Sequence, residues 1–137
     1  MPSLLQIVDD PQGGSRFVDV EMELRPDVGE LLTSRPADVS AAWVFHAPPG
    51  SGHPQQPEAR RQLAVLLSGS CTVTVSSGET RTCRPGDLLL VEDTDGLGHS
   101  STSDEGATIL MIALEKHASR PFLPSVDDPP ADAKARR

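Results

Sequence analysis

Prolines and glycines interrupt this chain so often that no stretch is left in which a long helix could run. Thirteen prolines and eleven glycines fall within 137 residues; a proline removes a backbone donor, and both residue types punctuate regular structure. Between the breaks lie short segments that are apolar or alternating, the pattern of strands separated by turns. An all-β fold follows, and the length fits one domain with a real core.

Residues 16–24 alternate, with Phe17, Asp19, Glu21 and Glu23 on one side and Val18, Val20, Met22 and Leu24 on the other, which predicts a half-buried strand. Residues 25–39 read as a surface loop with at most one short helical turn around Val28 to Thr33, and Ser40 to Phe45 as a second strand. The stretch APPGSGHPQQPEA, residues 47–59, holds four prolines. Such a stretch cannot donate a regular ladder, so it is expected to be an irregular loop. Gln62 to Leu67 is apolar on both parities after Gln62, as a central strand covered on both faces would be. Cys71 to Ser76 and Glu79 to Cys83 pair around Ser77-Gly78 as a hairpin. Leu88 to Val91 and Thr108 to Leu114 are further buried strands, separated by the acidic, glycine-rich loop Glu92 to Gly98. After Lys116 the prolines and mixed charges predict a docked stub around Phe122 and then a loose tail over residues 118–137. Roughly seven short strands with turns between them mean a sandwich or barrel.

Lysine and arginine total 12 against 20 acidic residues, a formal net charge of -8. That balance repels a phosphate backbone, so nucleic acid is not an expected partner. No apolar run approaches a membrane span and no secretory leader stands at the N-terminus, which leads us to expect a cytoplasmic protein with no membrane partner. The two cysteines flank the hairpin. A two-residue loop would set Cys71 opposite Arg84, whereas a three-residue loop would set it opposite Cys83; two free thiols are expected in a reducing compartment.

Taken in order, the residues RRQLAVLLSGSCTVTVSSGETRTCRPGDLLLVEDTDGLGHS, Arg60 to Ser100, resemble the cupin superfamily. There a histidine-containing loop leads into a strand beginning with Glu or Gln, then a glycine turn, a hairpin, Pro-Gly-Asp, a buried strand and another histidine. Gln62 stands at the Glu/Gln position, Gly69 at the glycine turn and Pro85-Gly86-Asp87 at the second motif, whose histidine His99 resembles. Together with Gly14-Ser15-Arg16-Phe17, the Glu92 to His99 wording is similar to small single-domain bacterial cupins. The resemblance implies a double-stranded β-helix, an RmlC-like jelly-roll barrel over residues 1–117, that binds a small organic molecule inside and associates as a homodimer. It departs from the family at the ligands. Metal-binding cupins carry His-x-His shortly before the Glu/Gln, where this chain has Gln55, Gln56, Pro57 and Glu58, and the nearest histidine is His53.

Candidate site residues follow from chemistry and from this resemblance. His99 is the candidate acid/base or metal ligand, since imidazole transfers protons near neutral pH. A metal would draw on His53, Gln62 and His99, with His46 a substitute, and would be one divalent ion such as Fe, Mn, Ni or Zn; an empty polar pocket is the competing expectation. Gln62, Arg60, Glu92 and Asp93 are candidate substrate contacts, the arginine for an anionic group and the carboxylates as partly desolvated bases. Trp43 and Phe45 read as core or dimer interface, and His117 as surface. The function expected is isomerisation, cyclisation or a metal-assisted step on a small organic substrate, against the alternative of a non-catalytic binding or sensing module.

Overall fold

The computed structural model describes residues 3–118 and Phe122. Its elements are β1 (Ser3–Asp9), β2 (Ser15–Glu21), β3 (Arg25–Pro26), β4 (Leu32–Thr33), β5 (Val39–Ala47), β6 (Ser51–Gln56), β7 (Gln62–Gly69), β8 (Cys71–Val75), β9 (Thr80–Cys83), β10 (Leu88–Glu92), β11 (His99–Ser103) and β12 (Ala107–Leu114). They form a six-stranded sheet in the order β2-β1-β10-β7-β12-β5, a four-stranded sheet in the order β6-β11-β8-β9, and the small ribbon β3-β4. This is the all-β fold expected from the turn-rich sequence, and the jelly roll that the resemblance implies. Among the described residues no helix is long and apolar enough to cross a membrane.

The six-stranded sheet is oily on both faces, which explains why β7 and β10 are apolar at both parities. Toward the four-stranded sheet, Ile7 and Val91 pack on Val73 and Val75 of β8, while Leu66 packs with Cys83 and Ala107. On the opposite face Leu4, Met22, Leu63, Leu90 and Leu114 form another cluster, against which Phe122 also packs. Leu90 has no exposure at all, and burying such a side chain contributes about 1.5–3 kcal/mol. Phe122 bridges to Arg35, the docked stub expected there; the loose tail expected beyond it lies outside the described residues.

Several local expectations give way to the observed ladder. Residues 25–39, expected as a surface loop, include the two-residue strands β3 and β4, paired Arg25 with Thr33 and Pro26 with Leu32. Part of the proline-rich stretch 47–59 is strand β6, paired with β11. Pro54 is tolerated because β6 is the outermost strand of its sheet, where a missing donor breaks no inner ladder. β1 and β11, not anticipated as strands, complete the two sheets. The β8-β9 connection takes the three-residue form: Cys71 pairs with Cys83, and Gly78 turns the chain at φ +93°, a conformation that favours glycine.

Candidate functional site

His99 opens β11, opposite Val75 of β8 and Gln56 of β6. The residue before it, Gly98, has φ +75°, and a Cβ there would strike the Gln56 carbonyl, so only glycine lets β11 begin this close to the end of β6. A second device holds the same point. Ser15 donates through Oγ to the Gly98 carbonyl at 2.6 Å and accepts from Ser76 N at 3.0 Å, while its own N–H donates to Ser76 Oγ at 2.8 Å.

The His99 ring is buried, and its Nδ1 lies 2.6 Å from Oδ2 of Asp93, a side chain with no solvent exposure. The carboxylate accepts the Nδ1 proton, and the other ring nitrogen, Nε2, faces Glu58, whose Oε1 is 3.5 Å away. His53 reaches the same spot from β6. Its Nδ1 is 2.8 Å from the Pro54 carbonyl, which can only accept, so here too Nε2 is the free nitrogen. The imidazoles of His53 and His99 meet edge to face with centroids 5.1 Å apart. Between the pairs His99–Gln56 and Ser101–His53, β6 carries one residue more than β11. That bulge at Pro54-Gln55 is the kind of irregularity that re-aims a side chain; it carries His53 to the cluster with no need to loop out Pro54 to Ala59.

Glu58 completes the cluster, and His53, Glu58 and His99 offer ligand atoms that all lie within 4.8 Å of one another. Burial pushes the Glu58 carboxyl above its ordinary range, the facing His99 pulls it down, Asp93 raises it and His53 lowers it. Its other oxygen, Oε2, accepts a 2.8 Å hydrogen bond from Nε2 of Gln62, and its backbone N–H donates to the Asp93 carbonyl. Among the described residues, one buried side-chain oxygen remains without a partner, Oδ1 of Asp93.

The sequence candidates therefore sort by position. His53, His99 and Asp93 come together. Gln62 and His99 lie on different sheets and meet through Glu58, which accepts from Gln62 and faces His99. Glu92 and Arg60 stand outside. Glu92 follows Val91 on the opposite parity and is taken up by Gln6 at 2.8 Å and by Arg61, which also donates to the Ala118 carbonyl; it ties β1 to the start of β7. Arg60 is stacked 5.0 Å over Trp43. His46 is exposed on β5, with Nδ1 3.2 Å from Thr108 Oγ1, and His117 is exposed. Glu58 is the residue that reading the sequence missed. Its signal was its place, four residues before Gln62, where the family pattern asks for a ligand; an acidic oxygen can serve there as well as an imidazole.

A cleft of about 200 Å³ opens beside the cluster, walled by Phe45, Ala47, His53, Cys71, Ser101 and Ile109 among others, and His53 belongs to both. Both cysteines are free. Burial raises the Cys71 thiol, and burial first, then the neighbouring Cys71 and Asp87, push Cys83 up to about 11. Both are thus protonated thiols at neutral pH.

Residues 34–116 match a family model described as the EutQ-like cupin domain. Among solved structures, a conserved protein of unknown function from Streptococcus pyogenes is 19% identical, covering 54% of this chain and 62% of its own, with a TM-score of 0.46. A cupin 2 conserved barrel domain protein from Salinispora arenicola is 14% identical over 54% of this chain and 61% of its own, at TM-score 0.45. An uncharacterised conserved protein with a double-stranded β-helix domain from Klebsiella pneumoniae is 18% identical over 74% and 91%, at TM-score 0.47. The chain thus spans about three fifths of the first two. No curated protein matches.

Proposed function

The chain belongs to the EutQ-like cupin family within the cupin superfamily, and from that premise we propose that it handles a small organic molecule at a divalent-metal centre held by His53, Glu58 and His99. One observation carries this reading. With both Nδ1 atoms committed to Asp93 and Pro54, His99 Nε2 and Glu58 Oε1 face each other at 3.5 Å. Two acceptors at that distance repel unless a proton or a cation stands between them. Two imidazoles and one carboxylate are a borderline donor set, suited to Fe, Mn, Ni or Zn rather than to the all-oxygen preference of Mg or Ca.

The donors also have the support that such a centre needs. Asp93 fixes the tautomer and orientation of His99 as the outer carboxylate of a carboxylate–histidine–metal arrangement does, and Gln62 holds Glu58 by its second oxygen. A bound ion would act as a Lewis acid on an oxygen of the substrate. The residues themselves divide the remaining work. The cleft beside His53 admits a compact substrate with an apolar body against Phe45 and Ile109 and a polar group toward the cluster.

The test is metal titration of the purified, untagged chain with Co(II), followed by visible absorption and by elemental analysis. One ion per chain, lost in His99→Ala and in Glu58→Gln but retained in His46→Ala, supports the centre. A wild-type chain that binds none of Co, Zn, Ni or Fe at micromolar concentration while retaining its fold refutes it, and leaves a proton shared by Glu58 and His99 as the occupant of the gap. Metal-free protein that gains thermal stability from a small ligand would then mark a binding module.

A further inference from the structure

We propose that Cys71 and Cys83 are a redox modification site on the wall of the cleft: a peroxide entering there oxidises Cys71, and Cys83 then closes a reversible disulfide to it across the β8-β9 hairpin. The pairing comes from the turn. Because the hairpin loop has the three-residue form, Cys71 stands directly opposite Cys83, and facing residues present their side chains to the same side. That side is the inner one, since the two cysteines share a small cavity of about 30 Å³ whose walls include Ala64, Leu66, Leu89 and Ile109. Both thiols are free and neither belongs to the cluster of His53, Glu58 and His99, so their chemistry is independent of metal binding.

The backbone separation suits such a bond. Val75 N–H donates to the Glu79 carbonyl at 3.0 Å, which makes these two a hydrogen-bonded pair, and such pairs alternate along an antiparallel ladder. Val73 with Arg81 and Cys71 with Cys83 are therefore hydrogen-bonded pairs too, whose Cα atoms stand about 5.5 Å apart, within the span of about 4.4–6.8 Å that disulfides bridge. The Cβ atoms of facing residues stand about 4.5–5.5 Å apart and must come to about 3.8 Å. Roughly 1 Å of closure is needed. β9 can supply it, because it has four residues and ends its sheet, so its ladder holds it from one side.

Access and acidity set the order of events. Cys71 is half-buried and walls the cleft beside His53, which Cys83 does not, and Cys83 is buried. Burial raises both thiols, but the Ser101 hydroxyl hydrogen-bonds to Cys71 and lowers it, whereas Cys71 and Asp87 add to burial at Cys83 and push it up to about 11. Cys71 is therefore the attacking sulfur. Its thiolate attacks one oxygen of hydrogen peroxide; an S–O bond forms, the O–O bond breaks, and the departing hydroxide takes up the thiol proton as water, leaving a sulfenic acid. The Cys83 sulfur then attacks the Cys71 sulfur; S–S forms, S–O breaks, and the released hydroxide leaves as water with the Cys83 proton. Two thiols give up two electrons, and one peroxide becomes two waters. Thiols raised in this way ionise little at neutral pH, so the first step is slow and the pair answers to sustained peroxide, not to a brief pulse. Closing the bond draws Cys71 from Ser101 toward Cys83, which alters the wall of the cleft.

The experiment exposes the full chain, reduced and freed of metal with EDTA, to hydrogen peroxide, then caps remaining thiols with iodoacetamide for mass spectrometry. Both thiols are expected to disappear together, with the mass lower by two hydrogens, a peptide map joining Cys71 to Cys83 within one chain, and both thiols restored by dithiothreitol. In Cys83→Ala, with the fold checked by circular dichroism, oxidation should stop at a Cys71 sulfenic acid that dimedone captures, while Cys71→Ala should give no dimedone adduct over the same time. The Ser101 amide signal in a nitrogen–proton correlation spectrum should shift on oxidation and return on reduction. A wild-type chain that keeps both thiols through an exposure many times longer than free N-acetylcysteine needs for oxidation overturns the inference. A disulfide that joins two chains instead of closing within one does so too. Dimedone capture at Cys83 in Cys71→Ala, as fast as at Cys71 in Cys83→Ala, overturns the order of attack, and an unmoved Ser101 signal overturns the link to the cleft.

Discussion

Asp93→Ala removes a carboxylate with no solvent exposure whose Oδ2 lies 2.6 Å from His99 Nδ1. The ring N–H loses its acceptor where water does not reach, which costs about 1–3 kcal/mol. Part is returned because the same carboxylate carries a buried, unpartnered Oδ1, so the lower half of that range, about 1–2 kcal/mol, is expected. For 137 residues this corresponds to a fall in Tm of about 3–8 °C. The second consequence is functional. Released from its acceptor, His99 can rotate or exchange tautomers, and loss of such an outer partner weakens metal binding by about 10–100-fold. Asp93→Asn is the informative companion, since it keeps the volume and one acceptor oxygen but not the charge; its Tm should lie nearer wild type and its affinity between the two. Calorimetric unfolding and Co(II) titration read both effects. An Asp93→Ala protein with wild-type Tm and an affinity within about twofold would refute the reasoning, because the contact would then orient nothing.

Ser15→Ala strips the Gly98 carbonyl and the Ser76 N–H of a buried hydroxyl, which should lower stability by about 1–3 kcal/mol in urea unfolding; combined with Ser76→Ala, the losses should be smaller than additive. Leu90→Ala, at a site with no exposure, should cost about 2–5 kcal/mol without altering metal stoichiometry. Glu58 gives a pH test whose sign follows from its raised pKa. A carboxyl that holds its proton more tightly folded than unfolded favours the fold most below the unfolded pKa, and that contribution fades as pH rises through the folded value. Glu58→Gln does not titrate, so metal-free Glu58→Gln should gain on metal-free wild type as pH climbs from the acid side to neutrality, read as urea midpoints. Metal affinity of the wild type should move the opposite way, falling as acid protonates Glu58.

Much of the fold was legible because alternation and punctuation are local. The both-parity apolar runs at β7 and β10 announced strands covered on two faces, and Ser77-Gly78 announced the hairpin. β6 was illegible for a physical reason: its prolines rule out an inner ladder, but nothing in Ser51–Gln56 states that the strand will be outermost and so can spare a donor. β11, HSSTS, lacks the apolar alternation of a half-buried strand and is held by pairing on both sides, a property of its neighbours. At the site, His99 was readable from its motif position, while Glu58 was hidden by its residue type, and Arg61 rather than Arg60 reaches Glu92 because successive residues point to opposite faces.

β1 runs parallel to β10, with Leu5 beside Leu89, and antiparallel to β2 on its other side. On the ribosome, β1 must therefore wait for a companion made long after it, holding only the hairpin with β2 in the meantime. Ordering so distant a pair is slow, because the loop between must close before any contact rewards it. Until then Leu4 and Ile7 lack the β10 wall that will cover them, and the early chain is most exposed to aggregation or to a chaperone at that stage.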